Sequence, residues 1–177
     1  MLRVTRPGSP MPYRQFHDFF PEIAERETRT IIVPPGATKA ALPVGEYGLV
    51  EMFCDERGCD CRRVFLAVMS KRRGPEAVIA WGWEPREFYA RWSGEDDEIL
   101  LDSLVGPALN LGSSETELAQ PLLELVTGLV RTDHAYAVRI QEHYRMFRAR
   151  VERKVTARGW FDAGDIRSRP KRSRHRR

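Results

Sequence analysis

Most of the signatures that announce an enzyme or a membrane protein are missing from this chain. It has no glycine-rich phosphate loop, no Gly-x-Ser-x-Gly elbow and no His-Glu-x-x-His pair, so the motif grounds for nucleotide hydrolysis, serine-hydrolase chemistry and zinc proteolysis are absent. No stretch approaches the roughly 20 apolar residues of a membrane span. The opening residues, Met1 to Pro10, hold no apolar run of the kind a secretory signal needs, so a cytoplasmic location without a membrane partner is expected. Histidine is scarce, four in 177 residues, and cysteine is scarcer, with three. An odd number of cysteines without an export signal argues against a disulfide framework and for thiols kept for metal binding or reactivity.

What is present is concentrated. All three cysteines fall in Cys54-Asp-Glu-Arg-Gly-Cys59-Asp-Cys61, between two apolar runs, 46–53 and 62–69. The pattern predicts a β-hairpin whose turn end carries three thiols. Zinc needs thiolates about 2.3 Å away in a tetrahedron. Cys59 and Cys61, two apart on an extended segment, point to one side and converge if the strand start bends; Cys54 approaches from the partner strand, and Gly58 gives the freedom for the reversal. A structural site asks for four ligands. His143 is the expected fourth, since it lies beside the apolar stripe of a C-terminal helix; His17 is the rival, and an acid such as Asp60 or Glu51 stands behind both. His134 and His143 are nine positions apart, on opposite sides of one helix, and cannot share an ion.

Two other readings of the cysteines stand beside zinc. They can be plain turn residues, although three thiols among Asp55, Glu56 and Asp60 do not look like the buried small hydrophobes that free cysteines usually are. Alternatively they serve redox chemistry, with Arg57, Arg62 and Arg63 favouring thiolate. A pairing of one of them with His143 as nucleophile and base belongs to that class.

The expected fold is α+β: a three- to four-stranded antiparallel meander bearing the cysteine hairpin, packed against C-terminal antiparallel helices. Residues 1–30 read as a loosely ordered lead-in with one aromatic patch, Tyr13 to Phe20, docked as a helical turn before Pro21. Residues 31–162 read as the single domain, and 163–177 as a disordered basic tail. Thr28 to Val33 suggests a short edge strand cut off by Pro34-Pro35-Gly36, and Ala77 to Trp83 a third meander strand. On that third strand Val78, Ala80 and Gly82 form a face small enough for a covering element to lie close; Ile79, Trp81 and Trp83 form the other. Trp81, Trp83 and Trp92 read as core rather than as a base-stacking platform. Helices are expected at 85–93 and 97–104, then from a capping box at Ser114 and Glu117 through Leu129. A long helix from Thr132 or Asp133 places Tyr136, Ile140, Tyr144, Phe147 and Val151 on one stripe, with Gly159 as its left-handed cap.

Charge is uneven. Residues 131–177 hold 15 Lys and Arg against five acids, a net of +10, and residues 1–130 hold 14 against 20, a net of −6. The tail from Arg167 supplies Arg167, Arg169, Lys171, Arg172, Arg174, Arg176 and Arg177, an arm suited to neutralising phosphates of nucleic acid, or a solvated solubilising tail. Arg139, Arg145, Arg150, Arg153 and Arg158 extend that face along the helix if they are exposed.

The run Tyr47-x-x-x-Glu51-x-x-Cys54-x-x-x-x-Cys59-Asp-Cys61-Arg-Arg-Val64, with Tyr136 and His143-Tyr144-x-x-Phe147 far downstream, resembles a family of uncharacterised bacterial proteins over about a third of the chain. The resemblance brings no activity with it and implies only that hairpin and helix belong to one module. The Cys-x-Cys pair is similar to that of the metal-binding domains called SEC-C, but those place their further ligands after the pair, whereas Cys54 precedes it, so the chain is not assigned to them. The expected function is a small zinc-binding accessory or adaptor protein with a basic arm for nucleic acid, more a binder than an enzyme. The alternatives are a thiol-dependent redox enzyme or sensor, and a protein-interaction module.

Overall fold

A sheet with a helical layer on each side forms the protein. The computed structural model describes residues 13–36, 42–113 and 115–162, with side chains through 153. Strands β3 (Gly45–Cys54), β4 (Arg63–Ser70) and β5 (Gly74–Gly82) make the expected antiparallel meander. A two-residue strand β6 (Ala108–Leu109) extends it beside β5. On the far edge β3 takes two partners in tandem, β2 (Arg29–Val33) along residues 45–49 and β1 (Tyr13–Gln15) along 52–54. Of the edge strand read from Thr28 to Val33, Arg29–Val33 pairs with β3, and Thr28 caps α1.

Alternation decides which face is buried. On β3, Tyr47, Leu49, Glu51 and Phe53 point into the main core, a continuous set in which the one carboxylate stands out. The main core is closed by α4 (Ala119–Thr132), through Ala119, Leu122, Val126 and Val130, and by α5 (His134–Asp162), through Tyr136, Ile140, Tyr144, Phe147 and Val151. The α5 stripe is the one that helical spacing predicts. Trp81 and Trp83 pack at the border of this core, and Trp83 meets Tyr144 edge-on with ring centroids 5.1 Å apart.

The opposite face is covered by α2 (Arg86–Ser93) and α3 (Glu98–Val105), which form a smaller core around Tyr89, Leu101 and Leu104. Their close approach needs the small residues of β5. A Cβ added at Gly82 would fall within 2.7 Å of the Leu104 carbonyl oxygen and into the Tyr89 ring, so the Val78, Ala80, Gly82 face works as expected.

Several boundaries differ from expectation. Pro21 opens a helix rather than closing a segment: α1 (Pro21–Glu27) has it at its first position, where the missing N–H matters least, and a single 3-10 turn, Phe16–Asp18, precedes it. The N-cap of α4 is Leu118, with no side-chain cap hydrogen bond, and Ser114 of the expected capping box lies outside the described residues. Glu117 instead reaches Arg73 at 2.7 Å, and the Thr116 hydroxyl donates to buried Glu76 at 2.8 Å. These side chains are committed to the β4–β5 turn, so the helix begins at Ala119 and Pro121 falls in its first turn. Asp133 caps α5, its carboxylate accepting from the Tyr136 N–H at 3.0 Å. That helix runs past Gly159, which does not end it. Among the described residues no helix is long and apolar enough to cross a membrane. The basic tail, Arg167 to Arg177, lies outside the described residues.

Candidate metal centre

Cys54 ends β3, and Cys59 and Cys61 lie in the loop that leads to β4. Gly58 makes the reversal at φ +68°, and Arg62 turns the chain again at φ +47° immediately before β4, which swings Cys61 in toward Cys54. An L-residue in that conformation costs on the order of 1 kcal/mol, and Arg62 is held there from every side. Its carbonyl accepts from the Tyr89 hydroxyl at 2.9 Å and its N–H donates to the Tyr144 hydroxyl at 3.3 Å; its guanidinium binds Asp60 at 2.9 Å and Glu84 at 3.0 Å and lies over the Phe88 ring.

The three Sγ atoms lie within 4.8 Å of one another. A tetrahedral zinc–thiolate centre sets its sulfurs roughly 3.8 Å apart, and the spacing here is compatible with a metal site. Two main-chain donors suit thiolates: the Glu56 N–H points to Cys54 Sγ and the Cys61 N–H to Cys59 Sγ. Cys54 and Cys61 are buried, and Cys59 is half-buried.

Without an ion, the cluster shares its protons unequally. Hydrogen bonds from the Cys54 and Cys61 thiols, with the Cys61 N–H and Arg148 adding to them against burial, hold Cys59 down at about 3. Cys54 is pushed up to about 11, chiefly because its thiol donates to Cys59, and Cys61 is raised further by hydrogen bonding to both neighbours and by burial. One thiolate held by two thiols is the arrangement a divalent cation converts to three thiolates by displacing two protons. Arg63 adds a half-buried guanidinium on the β4 side, donating to the Ser103 carbonyl at 2.8 Å and lying close enough to Cys61 for their charges to interact. Positive charge there offsets the negative charge of such a centre.

The loop is clamped by α5. Arg148 donates to the carbonyls of Cys54 and Glu56 at 3.0 and 2.9 Å and pairs with Glu152 at 2.5 Å, and Glu152 accepts from the Gly58 N–H at 3.3 Å. Neither Arg148 nor Glu152 was singled out by spacing or composition. Their i,i+4 relation is an ordinary feature of helix surfaces, and only the tertiary fold brings them over the cysteines.

The structure does not group His143 with the three thiols. Its Nδ1 meets Glu51 Oε2 at 2.8 Å and its Nε2 meets Glu27 Oε2 at 3.2 Å, and its ring stacks on Phe16 with centroids 4.2 Å apart. The expectation fails because His143 and Tyr144 are neighbours on α5, and it is Tyr144 that reaches the cysteine loop. With both ring nitrogens on carboxylates, His143 is equally unable to serve a cysteine as base. The rival His17 lies with His143 beside a separate cavity. Among the described residues the metal-capable group is Cys54, Cys59 and Cys61 alone. Arg139, expected on the exposed face, instead turns its guanidinium toward Glu27 at 3.8 Å.

No protein-family model, curated protein or solved structure matches the chain.

Proposed function

We propose that Cys54, Cys59 and Cys61 hold one zinc ion, and that this ion is a structural staple for the tip of the β3–β4 hairpin. The observation that carries the reading is the convergence of three thiols within 4.8 Å in a loop whose backbone α5 grips through Arg148 and Glu152. The donor set is soft and thiolate-rich, which favours zinc over magnesium or calcium. The fourth position is taken by solvent or by a ligand from a partner. In this reading the protein is a small cytoplasmic accessory or adaptor protein, and its tail, Arg167 to Arg177, binds nucleic acid without sequence preference.

Two measurements on the full chain test the two halves. Protein purified without added metal should carry about one zinc per chain, its three thiols should resist alkylation until a chelator is added, and chelation should loosen the hairpin. RNA and DNA affinity should fall steeply with salt, and deleting residues 167–177 should flatten that dependence. If the deletion leaves affinity and salt slope unchanged, the tail is only a solubilising segment and the nucleic-acid half of the proposal fails.

A redox reading is favoured by one feature, the half-buried Cys59 beside two buried thiols. In that case a hydroperoxide oxidises the Cys59 thiol to a sulfenic acid with release of water or an alcohol. Condensation with the Cys54 or Cys61 thiol then releases water and forms a disulfide. Metal-free protein with one rapidly alkylated thiol would select this reading over zinc.

A further inference from the structure

A cavity of about 200 Å³ opens between the 3-10 turn, α1 and β3, away from the cysteines, and has on its wall two buried ionisable side chains, Glu51 and His143. Phe16, Ala24 and Val50 supply apolar lining, and Glu25 adds a carboxylate. We propose that this cavity binds a small organic cation, an alkylammonium group on a short apolar chain.

Protonation follows from geometry. Both nitrogens of His143 face carboxylate oxygens, at 2.8 and 3.2 Å, and neither carboxylate has a proton to give when ionised, so both nitrogens donate and the ring is an imidazolium. That single charge is shared by Glu51 and Glu27, and Arg139 contributes to Glu27 only at 3.8 Å. On the cavity wall the two carboxylates of Glu25 and Glu51 stand against the one imidazolium of His143, with His17 the other titratable side chain, and the local balance is negative. Glu51 is 6% exposed, and a carboxylate so poorly hydrated attracts a further cation more strongly than one in water does.

Shape and chemistry select the kind of cation. A metal ion is poorly suited, because Glu51 and Glu27 lie on opposite nitrogens of one imidazole and cannot close on a single ion together with it. The Phe16, Ala24 and Val50 lining favours a ligand with an apolar body, whose burial adds to the charge interaction. An anion would meet Glu25 and Glu51 on entry.

The test is a titration of the full-length protein, followed by amide and histidine-ring NMR, with n-butylammonium, 1-butanol and butyrate at constant ionic strength. Butylammonium should give saturable shifts at Phe16 and His143, 1-butanol should bind about tenfold more weakly, and butyrate should not bind. Glu51→Gln should weaken butylammonium binding about tenfold, and Ala24→Leu, which fills the cavity without changing charge, should abolish it. Should Glu51→Gln fail to fold, Glu25→Gln on the exposed side of α1 serves instead, with an expected loss of several-fold. Equal or tighter binding of butanol or butyrate, absence of saturable binding, or an unchanged affinity in Ala24→Leu would overturn the proposal.

Discussion

Two polar clusters fasten α5 to β3, and they differ in the chemistry of the groups that meet there. At the hairpin tip three thiols converge under Arg148 and Glu152, a set compatible with a metal site. Further along the same strand the buried Glu51 is closed on His143 by a proton, and Glu27 of α1 joins from the other side. The difference teaches that one interface can have two independent controls. With zinc bound as proposed, a chelator acts on the first and leaves the second, whereas alkaline pH acts on the second through a single imidazole.

The largest effect that would break this comparison lies at the thiols. Cys61→Ser should abolish zinc binding and make stability insensitive to chelators, while the parent chain, at zinc a thousandfold above Kd, should lose about 4 kcal/mol on chelation. Urea unfolding with and without chelator measures both. A parent chain indifferent to chelation would remove the metal from the account.

Next in size is His143→Ala, which leaves Glu51 buried without its partner and should cost about 3 kcal/mol. Its sharper signature is pH. Burial pulls the His143 pKa down, but the hydrogen bond and charge of Glu51, with Glu27 adding, more than offset it, so the folded value lies above the ordinary one. A raised folded pKa means that the contribution is complete below about pH 6.5 and is lost as pH rises through the folded value. Urea midpoints of the parent should therefore fall on the alkaline side of neutrality, and those of His143→Ala should lack that decline. Glu27, Glu51, Arg139, Tyr136 and His17 are the titratable groups around the ring.

A smaller effect separates the clamp from the ligands. Arg148→Ala removes the donors to the Cys54 and Glu56 carbonyls and should cost about 2 kcal/mol, with zinc affinity about tenfold weaker because an outer support is lost while all three thiols remain. Competition with a chromogenic chelator reads the affinity. An affinity unchanged from the parent would show that α5 grips the loop without helping the site.

The two clusters also differ in how far the sequence discloses them. The thiols fall within eight residues, so a local pattern exposes them, and the alternation of β3 and the α5 stripe from Tyr136 to Val151 are local in the same sense. Glu27, Glu51 and His143 are separated by up to 116 positions and meet only when α1, β3 and α5 pack together. One signal was available: Glu51 occupies an inward position between Leu49 and Phe53, and an acid there needs a donor. Reading His143 as a zinc ligand found the right helix but the wrong partner, because the one-residue step from His143 to Tyr144 along α5 separates the two clusters. The start of α4 misled for a related reason. Ser114 and Glu117 have cap spacing, yet Thr116 and Glu117 are held by Glu76 and Arg73 from another part of the chain.

The central claim is that three cysteines ligate one zinc ion, and X-ray absorption at the zinc edge of the full-length protein tests it most directly. The account predicts about three sulfur scatterers at about 2.3 Å and one lighter ligand, nitrogen or oxygen, completing the shell. A shell of nitrogen and oxygen alone, or protein that retains no zinc while all three thiols react freely, would contradict it.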